Sequence, residues 1–130
     1  MVTLLRRRGL LAAMTIAALL AAGCATVPPA RAVTDKKMVA GTWTGTISAR
    51  NATHAYTVII NEDGTYQGTS PTLPPGRFEG TWQVSDGKML WKSSTTGRTG
   101  SSTLHEGDGK RMMQFTLDDG SATAELTPAK

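Results

Sequence analysis

The sequence predicts an all-β protein whose domain is an eight-stranded antiparallel barrel in up-and-down order. Two observations point to this fold class: residues alternate between polar and apolar over whole segments, and no helical periodicity appears after residue 24. A third is a turn signal, because the pair Asp-Gly, favoured in tight hairpins, recurs four times, at 63–64, 86–87, 108–109 and 119–120. Alternation with a period of two places one face of each strand in a core and the other in water.

Taken in order along the chain, the predicted strands are 41–49, 54–61, 65–69, 77–85, 88–94, 100–106, 110–117 and 121–127. The clearest is 77–85, where Phe78, Gly80, Trp82 and Val84 share one face. Short turns make neighbours in sequence antiparallel neighbours in space, and closing the sheet removes its exposed edges. A two-sheet sandwich of the same strands is the alternative, but it needs Greek-key crossovers that the short turns disfavour.

The segment before the domain has the pattern of an export signal. Arg6 to Arg8 precede an apolar run of 13 residues, 10–22, and Cys24 is the only cysteine. The run is shorter than the ~20 residues that a membrane-spanning helix needs. The ending Ala21-Ala22-Gly23-Cys24 resembles a bacterial lipobox, which implies that residues 1–23 are a cleaved lipoprotein signal peptide and that Cys24 is acylated. An ordinary signal peptide, cut near Ala22 or Ala25, is the alternative, and the export route, Sec or twin-arginine, stays open.

The resemblance to bacterial lipoproteins also implies a location. The residue after Cys24 is Ala25 rather than Asp, which favours the outer membrane over retention at the inner one. We therefore expect a protein of the cell envelope whose acyl chains anchor it to the membrane. Residues 24–37, with Pro28-Pro29, are predicted to be a flexible tether, and residues 38–130 the barrel domain.

Charge and cysteine content exclude two kinds of protein. Of the 14 basic residues, three belong to the signal, so residues 24–130 keep 11 basic against 10 acidic side chains, a net charge of about +1. Nucleic-acid binding, which needs a basic face, is therefore not expected. Without a second cysteine no internal disulfide can form, so the domain must be stabilised by core burial and sheet closure.

The first strand carries a resemblance to a known superfamily. Gly41-Thr42-Trp43 is similar to the Gly-x-Trp that opens the lipocalin-like, or calycin-type, barrels. In those proteins the Trp plugs the closed end of the barrel, which implies a structural role for Gly41 and Trp43. The chain departs from a full lipocalin in being much shorter and lacking a C-terminal helix. The opening also resembles small periplasmic barrels that inhibit metalloproteases, which usually carry a disulfide, and the avidins.

The aromatic residues are the main indication of a binding site. Six of them fall on predicted inward faces, and four of these, Tyr56, Tyr66, Trp82 and Trp91, are the candidate ligand-binding residues. Their hydroxyl and indole N–H groups need partners inside a barrel, which a polar ligand or water can supply. The competing interpretation is that they fill the interior and leave room for at most one small ligand.

Residues suited to catalysis are few. The two histidines, His54 and His105, are predicted at exposed strand ends, without the spacing of a metal site. The carboxylates fall mostly in turns, and no serine lies in a Gly-x-Ser-x-Gly motif. We therefore expect neither an enzyme nor a metal or cofactor.

Two functional hypotheses follow. The first is a lipid-anchored cell-envelope binding protein that holds a small apolar or aromatic ligand in its barrel. The second is a protein-interaction or protease-inhibitor-like scaffold that acts through its loops, notably 70–76, with three prolines, and 95–100. The membrane, through Cys24, is the one partner that both hypotheses share.

Overall fold

The computed structural model describes residues 27–130, which are mostly β-strand. The predicted signal peptide, 1–23, and Cys24 lie outside the described residues. The strands are β1 (Ala30–Arg31), β2 (Gly41–Ala49), β3 (Ala52–Ile60), β4 (Thr65–Thr69), β5 (Arg77–Ser85), β6 (Lys88–Ser93), β7 (Thr99–Gly107), β8 (Lys110–Leu117) and β9 (Ala122–Pro128). A short 3-10 helix spans Lys36–Met38.

The eight long strands form one closed antiparallel barrel in up-and-down order. Each strand from β2 to β8 pairs with the next, β8 pairs with β9, and β9 pairs back to β2. This confirms the predicted fold class. The predicted strand boundaries also agree with the observed ones to within two residues.

The hairpin turns are of two kinds. Asp86-Gly87 and Asp108-Gly109 have positive φ at both residues, as does Arg50-Asn51, which lets β2 and β3 pair as far as Ala49 and Ala52. The other two Asp-Gly pairs differ, because only their glycines have positive φ. There the aspartate side chain accepts a hydrogen bond from the backbone N–H of the second residue after it, as Asp63 does from Thr65 N–H (2.9 Å).

One end of the barrel, which we call the closed end, is formed by the turns at 61–64, 86–87 and 108–109. Trp43 lies there, 2% exposed, and its indole N–H donates to the carbonyl of Val39 (2.9 Å). The Arg111 guanidinium lies over the ring, 5.3 Å from its centroid, and also donates to the carbonyl of Met38. The buried side chains of Val39 and Met89 complete the packing of this end.

Part of the predicted tether belongs to the barrel. In β1, Ala30 and Arg31 pair with His105 and Leu104 of β7, next to the part of β7 that pairs with β6. Val33, just after β1, is 1% exposed. Backbone pairing to β7 and burial of Val33 hold this part of the stretch 24–37 against the barrel. The sequence signal for a tether was composition alone, and β1 is too short to produce an alternating pattern. No helix between residues 27 and 130 has the length and apolar character to cross a membrane.

Candidate functional site: a cavity at the open end of the barrel

The end opposite the closed end holds a cavity of about 750 Å³. Its rim is made of the β2–β3 turn, the loops 70–76 and 94–98, and the β8–β9 turn. The walls are largely apolar and aromatic, and include Ile47, Tyr56, Tyr66, Leu73, Phe78 and Phe115. A second void of about 40 Å³ lies below, and Tyr56, Tyr66 and Phe115 line both spaces. Apart from this small void, the barrel interior is packed toward the closed end and open at the other end.

The open space exists because aromatic rings fold back against glycines of neighbouring strands. A Cβ added at Gly68 would lie 2.0 Å from the Tyr56 hydroxyl, and one added at Gly100 would lie 2.7 Å from the Phe115 ring. Real Cβ atoms essentially never show contacts under 3.0 Å, so each ring lies where the side chain of another residue would begin. Rings placed along the wall leave the axis of the barrel free.

Below the cavity, the aromatic side chains pack around Trp91. The Tyr66 ring meets Trp91 edge to face, with centroids 5.0 Å apart, and Trp82 stacks on it at 5.8 Å. The indole N–H of Trp91 donates to the hydroxyl of Ser102 (2.7 Å), which is 1% exposed. No motif or spacing in the sequence marks this buried polar pair.

We expect Ser102→Ala to lower the free energy of unfolding by about 1–3 kcal/mol, because the buried Trp91 N–H loses its acceptor. Urea unfolding, followed by tryptophan fluorescence, measures the change. The control is Ser101→Ala, one residue away on the opposite face of β7, which should change the free energy by less than about 0.5 kcal/mol. An equal effect of the two substitutions would mean that the indole finds another partner.

The structure brings three of the four predicted ligand-binding residues together. Tyr56 and Tyr66 line the cavity, and Trp91 lines the smaller void below it. Trp82 lies further toward the closed end, where its indole N–H donates to the carbonyl of Asn61 (3.0 Å) and the Lys36 ammonium lies 5.7 Å from its ring centroid. It therefore supports Trp91 from below and does not line the cavity.

Tyr56 lines the cavity, and its hydroxyl lies against Gly68 of β4. Burial raises the pKa of Tyr56 well above its usual value, and the neighbouring Tyr66 raises it further. Burial also raises the pKa of Tyr66, which the Ser93 hydroxyl partly offsets. Both phenols are therefore neutral at physiological pH. No hydrogen bond joins the Tyr56 hydroxyl to any other group in residues 27–130, so it is available to a bound molecule.

Loop 70–76 contributes a wall of the cavity that the sequence did not reveal. Leu73 turns inward and is 7% exposed, while Pro71, Pro74 and Pro75 stay exposed. The Ser70 hydroxyl accepts from Leu73 N–H (3.2 Å), and Ser70 N–H donates to the carbonyl of Gly76. These bonds fix the loop with its one large apolar side chain over the cavity.

Loop 94–98 forms the adjacent part of the rim. Ser94 N–H donates to the carbonyl of Glu79 (2.9 Å), and Glu79 N–H donates to the Thr95 hydroxyl (3.0 Å). The Arg98 guanidinium donates to the Ser121 hydroxyl across the gap to the β8–β9 turn (3.2 Å). The cavity thus opens through a ring of hydrogen-bonded loops.

The histidines differ from their predicted exposure. Both are half-buried: the ring of His54 bonds to the Thr72 hydroxyl (2.8 Å), and that of His105 to the carbonyl of Pro28 (2.9 Å). Each holds a neighbouring segment, loop 70–76 or the stretch before β1. Residues 27–130 contain no group of three or more His, Cys, Asp or Glu side chains placed to hold a metal ion.

Comparison of the chain with known protein families, with curated proteins and with solved structures finds no match.

Proposed function

We propose that this chain is a lipid-anchored binding protein of the cell envelope, which holds a small apolar or aromatic molecule in the cavity of its barrel. The observation that carries the proposal is the cavity itself: about 750 Å³, open at one end, with aromatic walls. The lipobox resemblance at Cys24 supports the envelope location, and the Gly41-x-Trp43 opening supports a lipocalin-like barrel.

The dimensions and chemistry of the cavity suit such a ligand. Sites for small molecules commonly measure about 300–1,000 Å³ and combine apolar walls with a few polar groups. Here the walls are Tyr56, Tyr66, Phe78 and Phe115, which gain contact with an apolar body. The free hydroxyl of Tyr56 supplies one polar group that can orient it. The closed barrel keeps these side chains in place before the ligand arrives, which lowers the entropic cost of binding.

The test uses the neutral fluorescent probe N-phenyl-1-naphthylamine and a chain that begins at Ala25. That chain contains all eight barrel strands and β1, since the barrel closes within residues 27–130, and circular dichroism checks its fold. We expect saturable binding to one site, with a rise in probe fluorescence. Native mass spectrometry of the same chain, purified from its own periplasm without lipid, should show a reproducible added mass.

A matched pair of variants locates the binding. Ala122 is buried and lines the cavity, whereas Thr123 is exposed on the outer face of the same strand. Ala122→Trp should weaken probe binding about tenfold or more, because the indole occupies the cavity. Thr123→Trp should leave it unchanged. No saturable binding, or equal binding by both variants, would refute the proposal.

A second candidate function is a protein-interaction or inhibitor-like scaffold. It is favoured by loop 70–76, which exposes three prolines while Leu73 and the Ser70 hydrogen bonds hold it rigid. Rigid exposed loops bind partners at a low cost in ordering entropy. A bare mass in native mass spectrometry, together with no probe binding, would favour this function over the first.

A further inference from the structure

We propose that the ligand is an amphiphile with an anionic headgroup, and that Arg50 and Arg98 bind this headgroup at the rim of the cavity. The inference rests on the proposed function and adds the chemical class of the ligand. Arg50 lies in the β2–β3 turn, and Arg98 lies at the end of loop 94–98. Both line the cavity at its entrance.

The guanidinium groups of Arg50 and Arg98 differ from those of the other described arginines in their distance to carboxylates. In residues 27–130, Arg31 and Arg111 each lie within 4 Å of the Glu106 carboxylate, and Arg77 lies 3.5 Å from that of Glu79. No carboxylate in this part of the chain lies as close to Arg50 or Arg98. No Asp or Glu is among the residues that line the cavity. The entrance is therefore cationic.

The two acidic side chains of the β8–β9 turn accept hydrogen bonds from neighbouring residues. Asp118 accepts from the Thr99 hydroxyl (2.5 Å), and Asp119 accepts from Ser121 N–H and from its hydroxyl (2.9 and 2.6 Å). The bonds from Ser121 lower the pKa of Asp119, and the charge of Arg98 lowers it further. Asp119 thus offsets part of the charge of Arg98, but it lies outside the cavity. Arg50 has no such neighbour within 4 Å in the described residues.

The arrangement separates two kinds of recognition along the barrel. The lower walls, with Tyr66, Phe78 and Phe115, take an apolar body. The rim offers planar guanidinium donors, which match the oxygens of a carboxylate, sulfonate or phosphate. A ligand with both parts can contact the aromatic walls and the two guanidinium groups at once, while its headgroup stays near water. A cationic amphiphile of the same size would meet like charge at the entrance.

The test compares two probes that share one apolar body. These are N-phenyl-1-naphthylamine, which is neutral, and 1-anilinonaphthalene-8-sulfonate, which adds a single anionic group. Arg50→Gln/Arg98→Gln should weaken binding of the sulfonate about tenfold at low salt and leave the neutral probe within twofold. Raising NaCl from 0.05 to 0.5 M should reproduce part of this loss for the sulfonate alone, since added salt screens exposed charges.

Arg77→Gln is the matched control. Arg77 begins β5 at the same end of the barrel, but it does not line the cavity, so its loss should change neither affinity. Displacement of the sulfonate probe by dodecanoate or by dodecyl phosphate identifies a carboxylate or a phosphate as the better headgroup. Equal displacement by dodecyltrimethylammonium would overturn the proposal, as would a double variant that binds the sulfonate normally. If the neutral probe still binds its site in that case, the proposed function stands without this inference; if neither probe binds, the proposed function itself fails.

Discussion

Replacing Trp43 with alanine is expected to lower the free energy of unfolding by about 3–5 kcal/mol. The ring is almost fully buried at the closed end, where it packs beneath Arg111 and donates a hydrogen bond to Val39. Removing it leaves a void under the segment 33–39, and the carbonyl of Val39 loses its donor. Domains of this size have a stability of about 5–15 kcal/mol in total, so the variant should be close to unfolding at 37 °C. Urea unfolding gives the free energy directly.

Two further variants keep this prediction testable if Trp43→Ala does not fold. Trp43→Phe retains most of the packing and loses the hydrogen bond to Val39, so a smaller loss of about 1–2 kcal/mol is expected. Thr46→Ala, on the exposed face of the same strand, should change stability by less than about 0.5 kcal/mol. If Trp43→Phe costs as little as Thr46→Ala, the closed end is not held by Trp43.

Gly68→Ala is expected to abolish most ligand binding without touching the ligand site directly. The new Cβ would lie 2.0 Å from the Tyr56 hydroxyl, so the tyrosine side chain must move away from Gly68 of β4. We expect the ring to move into the cavity that it already lines. We expect the affinity for N-phenyl-1-naphthylamine to fall about tenfold or more, as measured by fluorescence titration. An unchanged affinity would show that the ring moves elsewhere or that the probe binds outside the cavity.

The double variant Gly68→Ala/Tyr56→Ala distinguishes intrusion of the ring from loss of the ring. With Tyr56 removed, the added methyl group has no ring to displace, so binding of the neutral probe should return to within a fewfold of the original. Tyr56→Ala alone should widen the cavity and keep the probe bound. Non-additivity of the two changes is the expected signature of residues in contact. Additive losses would mean that Gly68 and Tyr56 act independently.

Much of the fold could be predicted from the sequence, because strands of eight or nine residues with one buried face leave a period-two pattern. The strand 77–85 was predicted with both of its ends correct. Asp-Gly marked turn positions in the same way, although Asp63 and Asp119 stabilise theirs by side-chain bonds rather than by positive φ. Short elements left no such pattern. β1 has two residues, and the helix at Lys36–Met38 has three.

The cavity could be predicted only in part. Alternation places Tyr56 and Tyr66 on inward faces, but it does not say whether a ring points across the barrel or lies along its wall. That depends on the contact between Tyr56 and Gly68, which belong to different strands. Their contact can be predicted only once the register of β3 and β4 is known. Leu73 was missed because a proline-bearing loop has no period that would mark one inward residue. Arg50 and Arg98 lie in a turn and a loop, where no alternation marks a residue as facing the cavity.

The attachment of β1 also bears on how the proposed lipid anchor would orient the molecule. The chain reaches β1 at the closed end, where the carbonyl of Pro29 accepts from Glu106 N–H beside the β7–β8 turn. Cys24, acylated as we propose, precedes Val27 by three residues, which span at most about 11 Å. With such an anchor, we would expect the bilayer to lie under the closed end and the cavity to open toward the aqueous compartment on the far side. A ligand would exchange with that compartment, or with a second protein within it, rather than enter sideways from the acyl chains.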